Sequence, residues 1–215
     1  MLNPIHEEVK SMKKSLFFII AAFAAVLLGT GCSEPVVFSE VFQQGENEKL
    51  YTAYNIWYTD PEDISCLNIQ QGTFIPVGTE IEPVETSVCC NFLGLDGFNE
   101  TITFRDKAGK VYTIKFNDGY RLCSMRDYIF YTFTKKSRNE LLKDVSPQVQ
   151  KHIMRGEVVP GMTEAEVKLC YGPPPAIRTP DLRNETWSYW LTENETLHLV
   201  FRSGKVRNLL NYTKR

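Results

Sequence analysis

Six cysteines and three histidines are the side chains of this 215-residue chain with the widest chemical scope. A cysteine attacks as thiolate, so catalysis needs one whose proton is drawn off by a base or by positive surroundings. Cys170 could be paired with His152 or His198, but Val167, Cys170 and Tyr171 fall at i, i+3 and i+4 of a helical pattern. That spacing predicts a buried, inert thiol on an apolar helix face. No Gly-x-Ser-x-Gly elbow, His-Glu-x-x-His or phosphate-cradling glycine loop accompanies it, so the expectation is a protein without catalytic residues or a cofactor. Cys66, Cys89, Cys90 and Cys123 lack Cys-x-x-Cys spacing, and an adjacent pair suits tetrahedral zinc poorly, so no metal site is expected. These four are the candidates for one disulfide, with Cys170 left reduced.

Cys32 carries a different chemistry. Lys13 and Lys14 precede an apolar run from Leu16 to Leu28, then Gly29, Thr30, Gly31 and Cys32. A charged start, an apolar stretch of about a dozen residues and a small-residue cleavage site read as a secretory signal. The run is short of the roughly 20 apolar residues that a spanning helix needs. Its end resembles the lipobox of bacterial lipoproteins, with Gly29 where Leu is usual. The expectation is a signal peptide over 1–31, with Met1 or Met12 as the start, and acylation (palmitate) of Cys32 as the mature N-terminus. More than one acyl chain holds a protein on a bilayer. Ser33, where Asp would favour the inner membrane, points to the outer membrane and its periplasmic face. Residues 32–48 are expected to be a tether reaching roughly 20 Å.

The elements that would position any site follow from periodicity. With 43% hydrophobic and 23% charged residues the composition is that of a globular protein, and the net charge of −2 excludes the basic footprint of a nucleic-acid binder. From 49 to 136 the signals are those of strands: Leu50 to Tyr58, Thr73 to Thr79, a hairpin from Thr101 to Phe116 turning at Asp106-Lys107-Ala108-Gly109, and Tyr128 to Thr134. This predicts a small all-β, barrel-like domain. From 137 to 215 the pattern changes. Ser146 caps a helix that starts on Pro147 and stops at Gly156; Thr163 and Glu166 form a capping box, Met162 and Val167 a hydrophobic staple, and Gly172-Pro173 a stop. Trp187 to Leu191, Leu197 to Phe201 and Val206 to Tyr212 then alternate as strands. Two helices laid on a three-stranded antiparallel sheet are expected, making the fold class α+β.

Gly161-Met162-Thr163-x-x-Glu166-Val167, Tyr171-Gly172-x-Pro174, Trp187-Ser188-Tyr189-Trp190 and Val200-Phe201-x-x-Gly204-Lys205-Val206 occur in this order. Together they resemble the SmpA/OmlA family, the BamE-like domain of outer-membrane lipoproteins, over roughly residues 145–212. The resemblance implies a binding role beside the machinery that assembles outer-membrane β-barrels. The family's small members lack an N-terminal β domain of this size.

Alternation sends Trp187 and Tyr189 to one face of their strand and Trp190 to the other. Trp190 with His198 and Val200 is therefore the candidate binding patch, unless the N-terminal half covers it. Tyr171 and Arg178, on a proline-rich connector, are further binding candidates. The partner expected is another envelope protein, a barrel-assembly component under the resemblance. The alternative is an inhibitor or ligand-binding lipoprotein whose β domain does the recognition.

Overall fold

A computed structural model describes residues 38–43, 48–89, 99–192 and 194–213, so Cys32, Cys90 and the signal segment lie outside the described residues. The hairpin at its centre forms for local reasons. In β6 (Asn99–Asp106) and β7 (Val111–Phe116), Ile102, Phe104, Tyr112, Ile114 and Phe116 are buried on one face. The Asp106 carboxylate accepts from the backbone of Ala108 at 2.9 Å and Lys110 at 3.0 Å, and Gly109 takes φ +82° in the turn. Thr103 pairs with Thr113, as the alternation requires.

Around this hairpin grows a curled six-stranded sheet. Its further strands are β1 (Leu50–Thr52), β3 (Ile64–Ser65), β5 (Glu80–Cys89) and β8 (Phe133–Thr134), in the order β3-β7-β6-β5-β1-β8. The β3–β7 pair is parallel and the rest are antiparallel. β2 (Ile56–Tyr58) and β4 (Thr73–Ile75) form a separate ribbon.

Several expectations are corrected here. The segment from Tyr128 is mostly helical: it belongs to α3 (Met125–Thr132), which follows a short α2 (Asp118–Arg121), and both lie where strands alone were expected. Met125, Tyr128, Ile129 and Thr132 are buried at i, i+3, i+4 and i+7, and the Ser124 hydroxyl accepts the Asp127 N–H at 3.1 Å. Aromatic and β-branched composition had suggested a strand, but the capped helical stripe prevails. The first half is therefore not all-β. Part of the expected tether folds as α1 (Phe38–Phe42), whose Phe38 ring lies 5.2 Å from that of Phe133. Pro83 interrupts the alternation of β5, so its strand pattern is weak in sequence; a bulge between Pro83 and Glu85 absorbs the missing donor.

The C-terminal half follows its caps. α4 (Arg138–Leu142) starts from a Ser137/Glu140 capping box, α5 (Pro147–Met154) from Ser146, and α6 (Glu164–Tyr171) from the Thr163/Glu166 box. In the last, Thr163 N–H donates to Glu166 Oε2 at 2.7 Å and Glu166 N–H to Thr163 Oγ1 at 3.3 Å. Strands β9 (Thr186–Trp190), β10 (Glu195–Arg202) and β11 (Lys205–Thr213) pair antiparallel in the order β11-β10-β9. Gly161 N–H donates to the Val206 carbonyl and Val206 N–H to that of Met162, which pins the start of α6 to β11. The inner sheet face buries Trp187, Tyr189, Leu197, Leu199 and Phe201 against Ile153, Val167 and Cys170.

The fold is thus mixed α+β, with two hydrophobic cores inside one compact unit. Two buried asparagines join the cores. Asn55 donates its side-chain amide to the Ile153 carbonyl at 2.7 Å and accepts from Val77 N–H at 2.8 Å. Asn68 donates to the carbonyls of Asn55 at 3.1 Å and Tyr171 at 2.9 Å. Buried amides must find such partners, so their satisfaction fixes how the halves meet. No helix among the described residues is long and apolar enough to cross a membrane.

Candidate functional site

The outer face of the three-stranded sheet is the candidate site. In β9, Trp187 and Tyr189 turn inward while Ser188 and Trp190 turn outward. Register sets Trp190 beside Thr196 and Ser188 beside His198 across one strand pair, and Thr196 beside Tyr212 and His198 beside Leu210 across the other. One face therefore carries Trp190, His198, Val200, Leu210 and Tyr212. Leu210 is 41% exposed and Tyr212 53%, unusual for large apolar side chains standing together.

The aromatic side chains of this face have defined neighbours. The His198 ring lies edge-on to Tyr212, with centroids 4.7 Å apart. Its Nδ1 is 3.3 Å from Ser188 Oγ and its Nε2 3.2 Å from Thr196 Oγ1, so both ring nitrogens face hydroxyls. Partial burial, together with the Arg178 guanidinium, holds the imidazole pKa below its ordinary value. Arg178 itself lies over the Trp190 ring, 4.7 Å from its centroid. Gln70 N–H donates to the Trp190 carbonyl at 2.9 Å, so the first half of the chain covers one margin of the face. Trp190 is consequently half-buried, and its Nε1–H finds no acceptor among the described residues.

The sequence-expected residues divide accordingly. Trp190, His198, Val200 and Arg178 come together; Tyr171 does not. It is buried in the inner core, its ring 5.5 Å from Tyr189, and burial pushes its phenol up to about 12. The reason is its place on the same helix face as Val167 and Cys170. Leu210 and Tyr212 were not singled out, although their two-residue spacing in the final strand was the available signal. Beyond Val206, no other described segment pairs with the outer edge of β11, so the face runs on into open backbone donors and acceptors.

The cysteines are placed by burial. Cys66, Cys123 and Cys170 are free thiols, so the expected disulfide is not formed by Cys66 or Cys123; the side chains of Cys89 and Cys90 lie outside the described residues. Desolvation pushes all three thiols up, that of Cys170 most, which makes each a poor nucleophile at neutral pH. Arg121 lies close enough to Cys66 and Cys123 to oppose that effect but not to reverse it.

No protein-family model, no curated protein and no solved structure matches this chain. What the arrangement can do therefore rests on its chemistry. An aromatic and aliphatic band edged by an arginine is equipped for contact with a partner.

Proposed function

We infer that this protein is a lipid-anchored envelope protein, held through Cys32 on the periplasmic face of the outer membrane, whose outer sheet face docks another envelope protein. The observation that carries the reading is the band of Trp190, His198, Val200, Leu210 and Tyr212, continuous with the unpaired edge of β11. Trp, Tyr and Arg are the side chains that most often dominate interface energetics, and an open strand edge offers main-chain hydrogen bonds to an added strand. A BamE-like identity for residues 137–215 is consistent with two of the helices packing on the three-stranded sheet in the expected order. That identity makes a barrel-assembly subunit the first partner to look for. The accessory role is binding; nothing in it calls for turnover.

Photo-crosslinkers placed at Leu210 and Tyr212 in living cells should capture an envelope protein, whereas one at the buried Tyr171 should capture nothing. Capture from Tyr171 alone, or from none of the three, overturns the docking reading. Cys32→Ser should move the chain out of the membrane fraction; retention of a processed Cys32→Ser chain there overturns the anchor.

A further inference from the structure

We propose that the cleft between α3 and α6 is a binding site for a small amphiphile with a carboxylate head, and that Arg121 receives the head. The cleft has a volume of about 710 Å³. Sites for small organic ligands span roughly 300–1,000 Å³. Tyr54, Arg121 and Tyr128 line it, all of them buried, together with Leu169, Pro174 and Leu182. Its rim leaves Leu122 60%, Tyr131 56% and Leu182 39% exposed. Apolar side chains gathered in this way about an opening favour an apolar occupant.

The charge of the cleft is one-sided. Arg121 is only 7% exposed, and an arginine stays protonated in any such setting. Its guanidinium lies 5.1 Å from the Tyr128 ring centroid and reaches the Pro173 carbonyl at a loose 3.4 Å. None of the ion pairs among the described residues includes it. The described residues lining the cleft include a second cation, Lys168, and no carboxylate. A buried charge without a counterion is costly, so an anion entering here would relieve an existing penalty. One guanidinium presents a planar fork of donors that matches a single carboxylate in bidentate fashion. The apolar walls then accept the body of the ligand, and hydrophobic contact supplies the affinity.

This site shares no residue with the outer sheet face, so occupancy and docking are separable. Local structure also supplies a mild variant. Leu122 ends α2 at φ +53°, a left-handed position that Asp tolerates better than Leu does.

Calorimetric titration of the full chain with decanoate, decan-1-ol and decyltrimethylammonium, all below micelle formation, tests the assignment. The expected result is saturable one-to-one uptake of decanoate, with the cation at least about tenfold weaker. Arg121→Gln should weaken decanoate by about tenfold or more while leaving decan-1-ol within about threefold. Leu122→Asp, which puts a like charge at the mouth, should also weaken decanoate, and it decides the matter alone if Arg121→Gln does not fold. Absence of saturable decanoate uptake, equal binding of the cation, or decanoate affinity unchanged in the folded variants overturns the proposal.

Discussion

Thr163, Trp187 and Lys168 show how unequal single residues are in this fold. Thr163 and Glu166 satisfy two helix-end donors reciprocally, so Thr163→Ala should cost about 1 kcal/mol in chemical denaturation. Trp187 is fully buried with its ring 4.6 Å from Phe201, so Trp187→Ala should cost about 3–5 kcal/mol through lost contact and a cavity. Lys168 is half-buried, with its ammonium 5.1 Å from the Trp187 ring centroid, so Lys168→Ala should cost about 0.5–1 kcal/mol. The order Trp187, Thr163, Lys168 is the checkable content; a neutral Trp187→Ala would mean that the facing of β9 is wrong. His198 adds a pH dependence. Its folded pKa lies below the unfolded value near 6.5, so the unfolded chain takes up the proton first. The stability this contributes is present above 6.5 and is lost as pH falls below it through the folded pKa. Denaturation midpoints between pH 7 and 5 should therefore fall with pH in the parent and change less in His198→Gln.

Between elements, contacts rather than propensities decide. Leu50 to Tyr58 reads as one strand, yet the chain breaks it into β1 and β2 so that Asn55 can reach Ile153 and Val77. Asn55→Ala would leave the buried Val77 N–H without a partner and remove one of the donors to the Ile153 carbonyl, which still accepts from Gly156 N–H at 3.0 Å, at about 1–3 kcal/mol. Thermal unfolding should show that loss. Gly156 ends the α5 segment at φ +69°, and a β-carbon there would stand 2.5 Å from the Trp57 ring. Gly156→Ala should cost about 2 kcal/mol or more, from backbone strain and overpacking against the β2–β4 ribbon. An unchanged Gly156→Ala midpoint would place that ribbon elsewhere.

At the scale of the molecule, the described residues fall in one compact unit that encloses two cores meeting along polar and aromatic seams. Tyr54 lies so close to Gly172 that a side chain there would stand 2.8 Å from its ring, and Val77 of the first half is buried in the second core. The halves are therefore expected to unfold together. Asn55→Ala should lower a single transition; a split into two transitions would show that each half folds on its own.

Local chemistry made much of this legible in advance. The hairpin at Gly109, the caps at Ser146 and Thr163, the three closing strands and the burial of Cys170 were all readable, because capping, turns and period-two alternation act over a few residues. Trp190, His198 and Val200 were legible as a set through strand alternation, whereas Arg178, read separately on the connector, joins them only in the fold. Tyr171 reads both as part of the helix face of Val167 and Cys170 and as a binding candidate where the connector begins, and burial decides for the first. What only the tertiary structure decided is long-range: the role of Asn55 and Asn68, and a cleft with an unpaired Arg121. The physical reason is that burial and hydrogen-bond satisfaction are properties of partners far apart in the chain, and no short stretch of sequence carries their addresses.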